Sequence, residues 1–172
     1  MYALGVYLFH DQVSATVFIA AALGLIALRM LLWRSPMARL WRLPLAVAAA
    51  VIMIVALTDQ HMATKTYPVV MSLAAASVFA ISLVRPPSLI ELFARIRRPG
   101  LPEAASGYCR KLTLIWAVWL ALNAVIAAVL GEWASLAVWT LWTGVLSYVG
   151  HGTLFFGEIA YRRLFVERSR RP

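Results

Sequence analysis

Five side chains in the second half of the chain have the types and spacing to do chemistry in apolar surroundings: Trp116, Trp119, Asn123, His151 and Glu158. Trp116 and Trp119 precede Asn123 by seven and four residues, so a helix sets two indoles and one amide on one face. That face suits a planar or unsaturated hydrophobic ligand with one polar handle. It equally suits interhelical packing in which the amide and the indole N–H groups find partners. His151 lies about 16 Å before Arg162 along a helix, well inside a bilayer whose edge Arg162 marks. An ionisable residue at that depth is a functional candidate by default; the structural alternative is a neutral imidazole bonded to a facing Ser, Thr, Asn or carbonyl. Glu158 stands four residues before Arg162, the spacing of an i,i+4 ion pair. The five form a candidate polar path or ligand-contact set.

Two stripes run along the segment that carries His151 and Glu158. Gly144, Ser147, His151, Leu154 and Glu158 follow heptad-like spacing, and Thr143, Gly150, Thr153 and Gly157 make a neighbouring row of small side chains. Small residues let helix backbones approach closely in lipid, so this row is expected to be a packing surface, within the monomer or between copies as a homo-oligomer.

These residues need a membrane to position them. Of 172 residues, 63% are hydrophobic and 13% charged, against about 45–50% and about 25% in an ordinary globular domain. Too few polar residues exist to cover a soluble core. The apolar runs reach the ~20 residues needed to cross a bilayer. The expected fold is an all-α polytopic membrane helical bundle in a single domain, 1–172, with five transmembrane helices at about 13–33, 43–57, 67–84, 112–130 and 135–156. Residues 1–9 are apolar but too short to span, and they lack the basic start and small-residue site of a cleaved signal. Pro44 and Pro68 are expected near the starts of their helices, where a missing N–H costs little.

Between the third and fourth spans, Arg85-Pro86-Pro87 stops a helix and Ser88 with Glu91 fits a capping box. Leu89, Leu92, Phe93 and Ile96 then fall on one face, with Glu91, Arg95 and Arg98 around the rest. This predicts an amphipathic helix over 88–98 in the headgroup plane. Pro102-Glu103 restarts a helix running into the fourth span.

The net charge of +9 sorts by side. Stretches 34–42, 85–111 and 162–172 hold 14 of the 16 Lys and Arg residues, Arg29 belongs with the first of them, and Lys65 alone falls on the other side. Positive residues collect in the cytoplasm, which predicts an N-out, C-in protein. The inner basic set (Arg95, Arg97, Arg98, Arg110, Lys111, Arg162 and Arg163) is expected to meet anionic lipid headgroups, at about 1 kcal/mol per residue, or to dock an acidic cytosolic protein. Nucleic acid is not an expected partner. A single cysteine, Cys109, excludes an internal disulfide and a CxxC site. On the outer side His10, Asp11, Asp59, His61 and Glu132 are too diffusely spaced to predict a metal. No cofactor is expected, and no phosphate loop, zinc-protease helix or serine-nucleophile elbow is present, so catalysis is not expected.

Several short motifs resemble one family. They are Arg85-Pro-Pro-Ser-Leu-Ile-Glu91, Leu101-Pro-Glu-Ala-Ala, Tyr108-Cys-Arg-Lys-Leu-Thr113 with Trp116, and Leu122-Asn-Ala124. Ser147-Tyr148, Gly152, Leu154-Phe155, Gly157-Glu158 and Arg162-Arg163 complete the pattern, over roughly Tyr67 to Arg163. The pattern is similar to an uncharacterised family of small bacterial inner-membrane proteins. These are found in gene clusters that make aryl polyene and related pigments with fatty-acid-synthase-like enzymes. Asn123 and Glu158 fall in matching motifs; His151 stands where the family pattern has an apolar residue. The resemblance implies an accessory protein of pigment assembly that anchors, or receives product from, acyl-carrier-dependent machinery, with an acyl carrier protein or ketosynthase-like enzyme as partner. The other expectation is a small oligomeric transporter or flippase using Asn123, His151 and Glu158 as its polar path.

Overall fold

The structure, a computed structural model, describes residues 14–32 and 38–162. The apolar start at 1–9, His10 and Asp11, residues 33–37 at the first basic connection, and Arg163 with the rest of the tail lie outside the described residues, as does the side chain of His61.

Every regular element among the described residues is helical: α1 (Ala15–Leu32), α2 (Ala38–Thr58), α3 (Gln60–Val84), α4 (Leu89–Arg97), α5 (Ala104–Trp133), α6 (Leu136–Leu141) and α7 (Ser147–Tyr161). A π-helical turn, Trp142–Leu146, joins α6 to α7 without a break. Three helical segments are long and apolar enough to cross a membrane: Trp41–Thr58, Met62–Val84 and Ala104–Trp133. The first helix carries a shorter apolar stretch, Thr16–Leu28, and the π turn divides the last. Only a minority of the residues in each long span is buried against the rest of the chain. Large apolar side chains such as Leu43, Leu57, Val84 and Phe156 point outward. A surface of this kind is stable in lipid and a liability in water.

The helices extend further than the hydropathy pattern suggests. Polar residues 60–66 are helical rather than a turn, leaving Asp59 as the link between α2 and α3, where its Oδ1 accepts from the Met62 N–H at 3.1 Å. Pro44 and Pro68 therefore lie inside α2 and α3 rather than in their first turns. Each forfeits one backbone hydrogen bond, a loss that bundled membrane helices tolerate.

The core of the first half joins α1, α2 and α3 through Ile19, Ile26, Leu45, Ile52, Ala63 and Val70. Trp139 of α6 is completely buried and packs on Phe18 and Leu130, which ties the last helical run to α1 and α5. At this end Lys65 donates to the Gly131 carbonyl at 2.8 Å. A cation on one of the last carbonyls of α5 is well placed with respect to the helix dipole.

The short helix α4 departs from the expectation of a flat surface helix. Leu89 is buried against Val78, with Trp41, Phe79 and Leu92 around the pair, whereas Phe93 and Ile96 are exposed. The Ser88 hydroxyl caps nothing. Instead the Leu89 N–H donates to Ser82 Oγ at 3.0 Å and the Ile90 N–H to Thr113 Oγ1 at 3.4 Å. The first turn of α4 is thus capped by α3 and α5, which pins it across the end of the bundle.

Candidate functional site

The five candidate residues occupy three levels along the interface between α5 and the run from α6 to α7. At the first level Asn123 is buried, and both ends of its amide are engaged. Its Nδ2 donates to Ser72 Oγ at 3.0 Å, and its Oδ1 accepts from Trp142 Nε1 at 3.1 Å. It brackets α3, α5 and the π turn together. Each amide atom thus has one protein partner, and the spacing of residues gives no sign of Trp142 as one of them.

At the second level His151 is enclosed by aromatic rings. The ring centroids of Trp116 and Trp119 lie 5.9 Å from the imidazole, the latter edge-on at 78°, and Tyr148 lies 6.4 Å away. Nδ1 contacts the Ser147 carbonyl one turn back. A carbonyl only accepts, so Nδ1 is the donor in this contact. The two tryptophans therefore serve the histidine rather than Asn123. Trp119 also lies against Gly150, and its indole nitrogen is buried with no hydrogen-bond partner. Among the glycines of this segment, Gly150 receives a neighbouring helix, whereas Gly157, and Gly152 beside it, meet nothing within 4 Å. Aromatic side chains, not close backbone approach, bridge α5 and α7.

The π turn makes this arrangement possible. In an uninterrupted α-helix, nine residues separate Trp142 from His151 by about 180°, on opposite faces. A π turn absorbs one extra residue and rotates the rest of the helix by about 100°. Trp142 then reaches Asn123 while His151 meets Trp116 and Trp119 on the same helix, α5.

At the third level, at the end of α7, Tyr108 donates to Glu158 Oε1 at 3.3 Å and stacks on Tyr161 with planes 5° apart. Arg162 Nε lies 3.7 Å from the same carboxylate oxygen, too long for a hydrogen bond, and has no hydrogen-bond partner. The i,i+4 spacing predicts the Glu158–Arg162 pair; nothing in the spacing reveals Tyr108.

Here the structure opens a cleft of about 440 Å³ between α4, α5 and α7. Phe79, Leu112, Trp116 and Phe155 make its apolar part, Ile90 and Phe93 of α4 flank it, and Arg97, Glu158 and Arg162 contribute its charges. Trp116 is common to the cleft and to the aromatic surround of His151. A cavity mostly apolar with a few charged groups has the character of a small-molecule site.

The inner basic residues divide by their partners. Arg95 is held within the fold, Nε and Nη2 reaching Glu91 Oε1 at 3.0 and 2.8 Å, while Ser106 Oγ donates to the same oxygen at 2.8 Å. These hydrogen bonds, Arg95's first, hold the Glu91 carboxyl below its usual value of 4.5. Glu91 is accordingly buried rather than solvated. Arg110 donates to the Leu83 carbonyl at 2.7 Å, closing the C-terminus of α3. Arg97, Arg98 and Lys111 are exposed. Arg163 lies outside the described residues. Among the described residues no group of three or more His, Cys, Asp or Glu side chains is placed to hold a metal ion.

Searches against known protein families, curated proteins and solved structures found no match to this chain. The chemistry of the site therefore rests on its own residues.

Proposed function

We propose that this chain is an integral accessory protein of a bacterial inner membrane. It takes up a hydrophobic, acyl-derived product, of the aryl polyene or lipid-like pigment type, from acyl-carrier-dependent enzymes in the cytosol. The observation that carries this reading is the cleft at the end of α7: an aromatic interior of ligand size with Arg97, Glu158 and Arg162 among its lining. It adjoins the residues that the charge distribution assigns to the cytoplasm. Five spans with N-out, C-in topology complete the reading. In its support, the helical run over 136–161 is about 39 Å long at 1.5 Å per residue. Arg98 and Lys111, exposed on α4's end and on α5, are the residues available to an acidic carrier protein or ketosynthase-like enzyme, or to anionic lipid.

Two measurements test this. Pull-down with the carrier and synthase proteins is expected to weaken when Arg98→Glu and Lys111→Glu are combined. Deletion of the gene, with mass spectrometry of the acyl species, is expected to leave finished chains on the carrier; unfinished chains would place the protein inside the synthetic cycle instead.

A transporter or flippase is the second reading, favoured by the alignment of Asn123, His151 and Glu158 along one interface. It predicts loss of export with normal cytosolic synthesis in Glu158→Gln. The use of Asn123 as a bracket between Ser72 and Trp142 counts against a continuous polar path.

A further inference from the structure

The charges around the cleft specify more than a hydrophobic ligand. Two guanidinium groups, Arg97 and Arg162, line it with one carboxylate, Glu158, a net charge of one positive unit. Glu158 is already the partner of Tyr108 at 3.3 Å, and it forms only a loose ion pair with Arg162, 3.7 Å from Nε. Arg162 lines the cavity with a side chain 42% exposed, its Nε turned toward Glu158, and Arg97 is exposed at the edge. Arginine presents a planar fork of N–H donors that matches a carboxylate in two-point contact. The apolar part offers Trp116, Phe79 and Phe155, flat faces suited to a planar or unsaturated chain. A volume of about 440 Å³ lies toward the small end of the range for ligand pockets, about 300–1,000 Å³. It fits one chain rather than a two-tailed lipid.

We propose that this cleft binds a single-chain amphiphile with a free carboxylate head, held by Arg97 and Arg162. Glu158 is the internal anion with which that head competes. The proposal rests on the uptake reading above and adds to it the identity of the head group and a residue that sets its affinity. A net single positive charge matches a monoanion and leaves a dianionic phosphate monoester undercompensated. Glu158 also lowers affinity for every anion, so a bound acid is released again. Tyr108, which donates to Glu158, keeps that carboxylate in place when the head departs.

The test uses the purified full chain in an uncharged maltoside detergent. Its probe is cis-parinaric acid, a conjugated tetraene acid that accepts excitation from tryptophan; its methyl ester has the same tail and no charge. The acid is expected to bind saturably and at least tenfold more tightly than the ester. Arg97→Gln and Arg162→Gln bring the acid toward the ester's affinity, and Glu158→Gln tightens the acid several-fold while leaving the ester unchanged. Because Arg97 is exposed, the Arg97→Gln result stands even where Glu158→Gln fails to fold. Equal binding of acid and ester in the wild-type protein overturns the carboxylate proposal and leaves the uptake reading intact. No saturable binding of either probe removes both. Weaker binding of the acid in Glu158→Gln overturns the competitor role.

Discussion

The indole of Trp119 lies directly over Gly150: a β-carbon at residue 150 would stand 2.2 Å from one atom of the six-membered ring and 2.6 Å from the next. Here a glycine of the small-residue row admits a ring from the neighbouring helix, which fixes how α7 sits on α5. Gly150→Ala must push a rigid ring away from His151 as well as from itself. The helix-propensity gain from Gly to Ala, about 1 kcal/mol, is smaller than the about 1–3 kcal/mol that overpacking costs. The thermal midpoint in neutral detergent is expected to fall. Gly152→Ala and Gly157→Ala, with open space at both positions, are expected to leave it unchanged or raise it. A stable Gly150→Ala would show that α7 can move off Trp119 freely.

Asn123 makes a second prediction that separates a bracket from a path. Asn123→Leu removes the partners of Ser72 Oγ and Trp142 Nε1 together. Interhelical hydrogen bonds in membrane proteins average about 0.6 kcal/mol, so a loss of about 1 kcal/mol is expected. A double-mutant cycle of Asn123→Leu with Trp142→Phe should show coupling; one with Glu158→Gln should show none. Export that stops at unchanged stability would favour the transporter instead.

Sequence pattern is enough to predict an all-helical membrane chain, because runs of apolar residues report lipid contact directly. It places the helix over 88–98 and the restart after Pro102 within a residue or two for a local reason: Pro and Gly punctuate the backbone where they stand. It begins the apolar spans too late at 43 and 67, since hydropathy measures where lipid is, not where hydrogen bonding stops. It puts Glu91 on the solvated side of α4, because periodicity alone does not reveal Arg95 and Ser106 bonded to it. The candidate site is legible as a set of residue types but not as a set of neighbours. Its grouping depends on the π turn, an irregularity that rotates Trp142 relative to His151 and has no signature in residue spacing. Tyr108, 50 residues from Glu158, joins the site only through the packing of α5 on α7.

Glu91 supplies a pH dependence whose sign is set by its partners. Its carboxyl is held below 4.5 in the folded protein, chiefly by Arg95 and then by Ser106. A depressed folded value means the stabilisation is fully present above the unfolded value. It declines as pH falls from there through the folded value and is gone below it. Wild-type protein should therefore lose thermal stability below about pH 4.5 more steeply than Glu91→Gln does. At neutral pH Glu91→Gln is expected to be less stable by no more than about 1 kcal/mol, because the Arg95 side chain is 37% exposed and solvent screens the pair. Identical pH profiles for the two proteins would remove Glu91 from the account of how α4 is held.

Cys109 provides the background for deciding the orientation on which the uptake reading depends. It is buried at 5% exposure and is the chain's one cysteine. A membrane-impermeant maleimide should leave the folded wild-type protein unlabelled and react once it is unfolded. In a Cys109→Ser background, Arg98→Cys and Glu132→Cys place exposed thiols just before and at the far end of α5. If α5 crosses the bilayer with the basic residues inside, intact cells label Glu132→Cys alone, and Arg98→Cys reacts only after the membrane is opened. The reverse pattern would put the cleft on the outer face, beyond the reach of any cytosolic carrier. Labelling of both in intact cells would mean that α5 does not span, and its apolar surface would then need another partner.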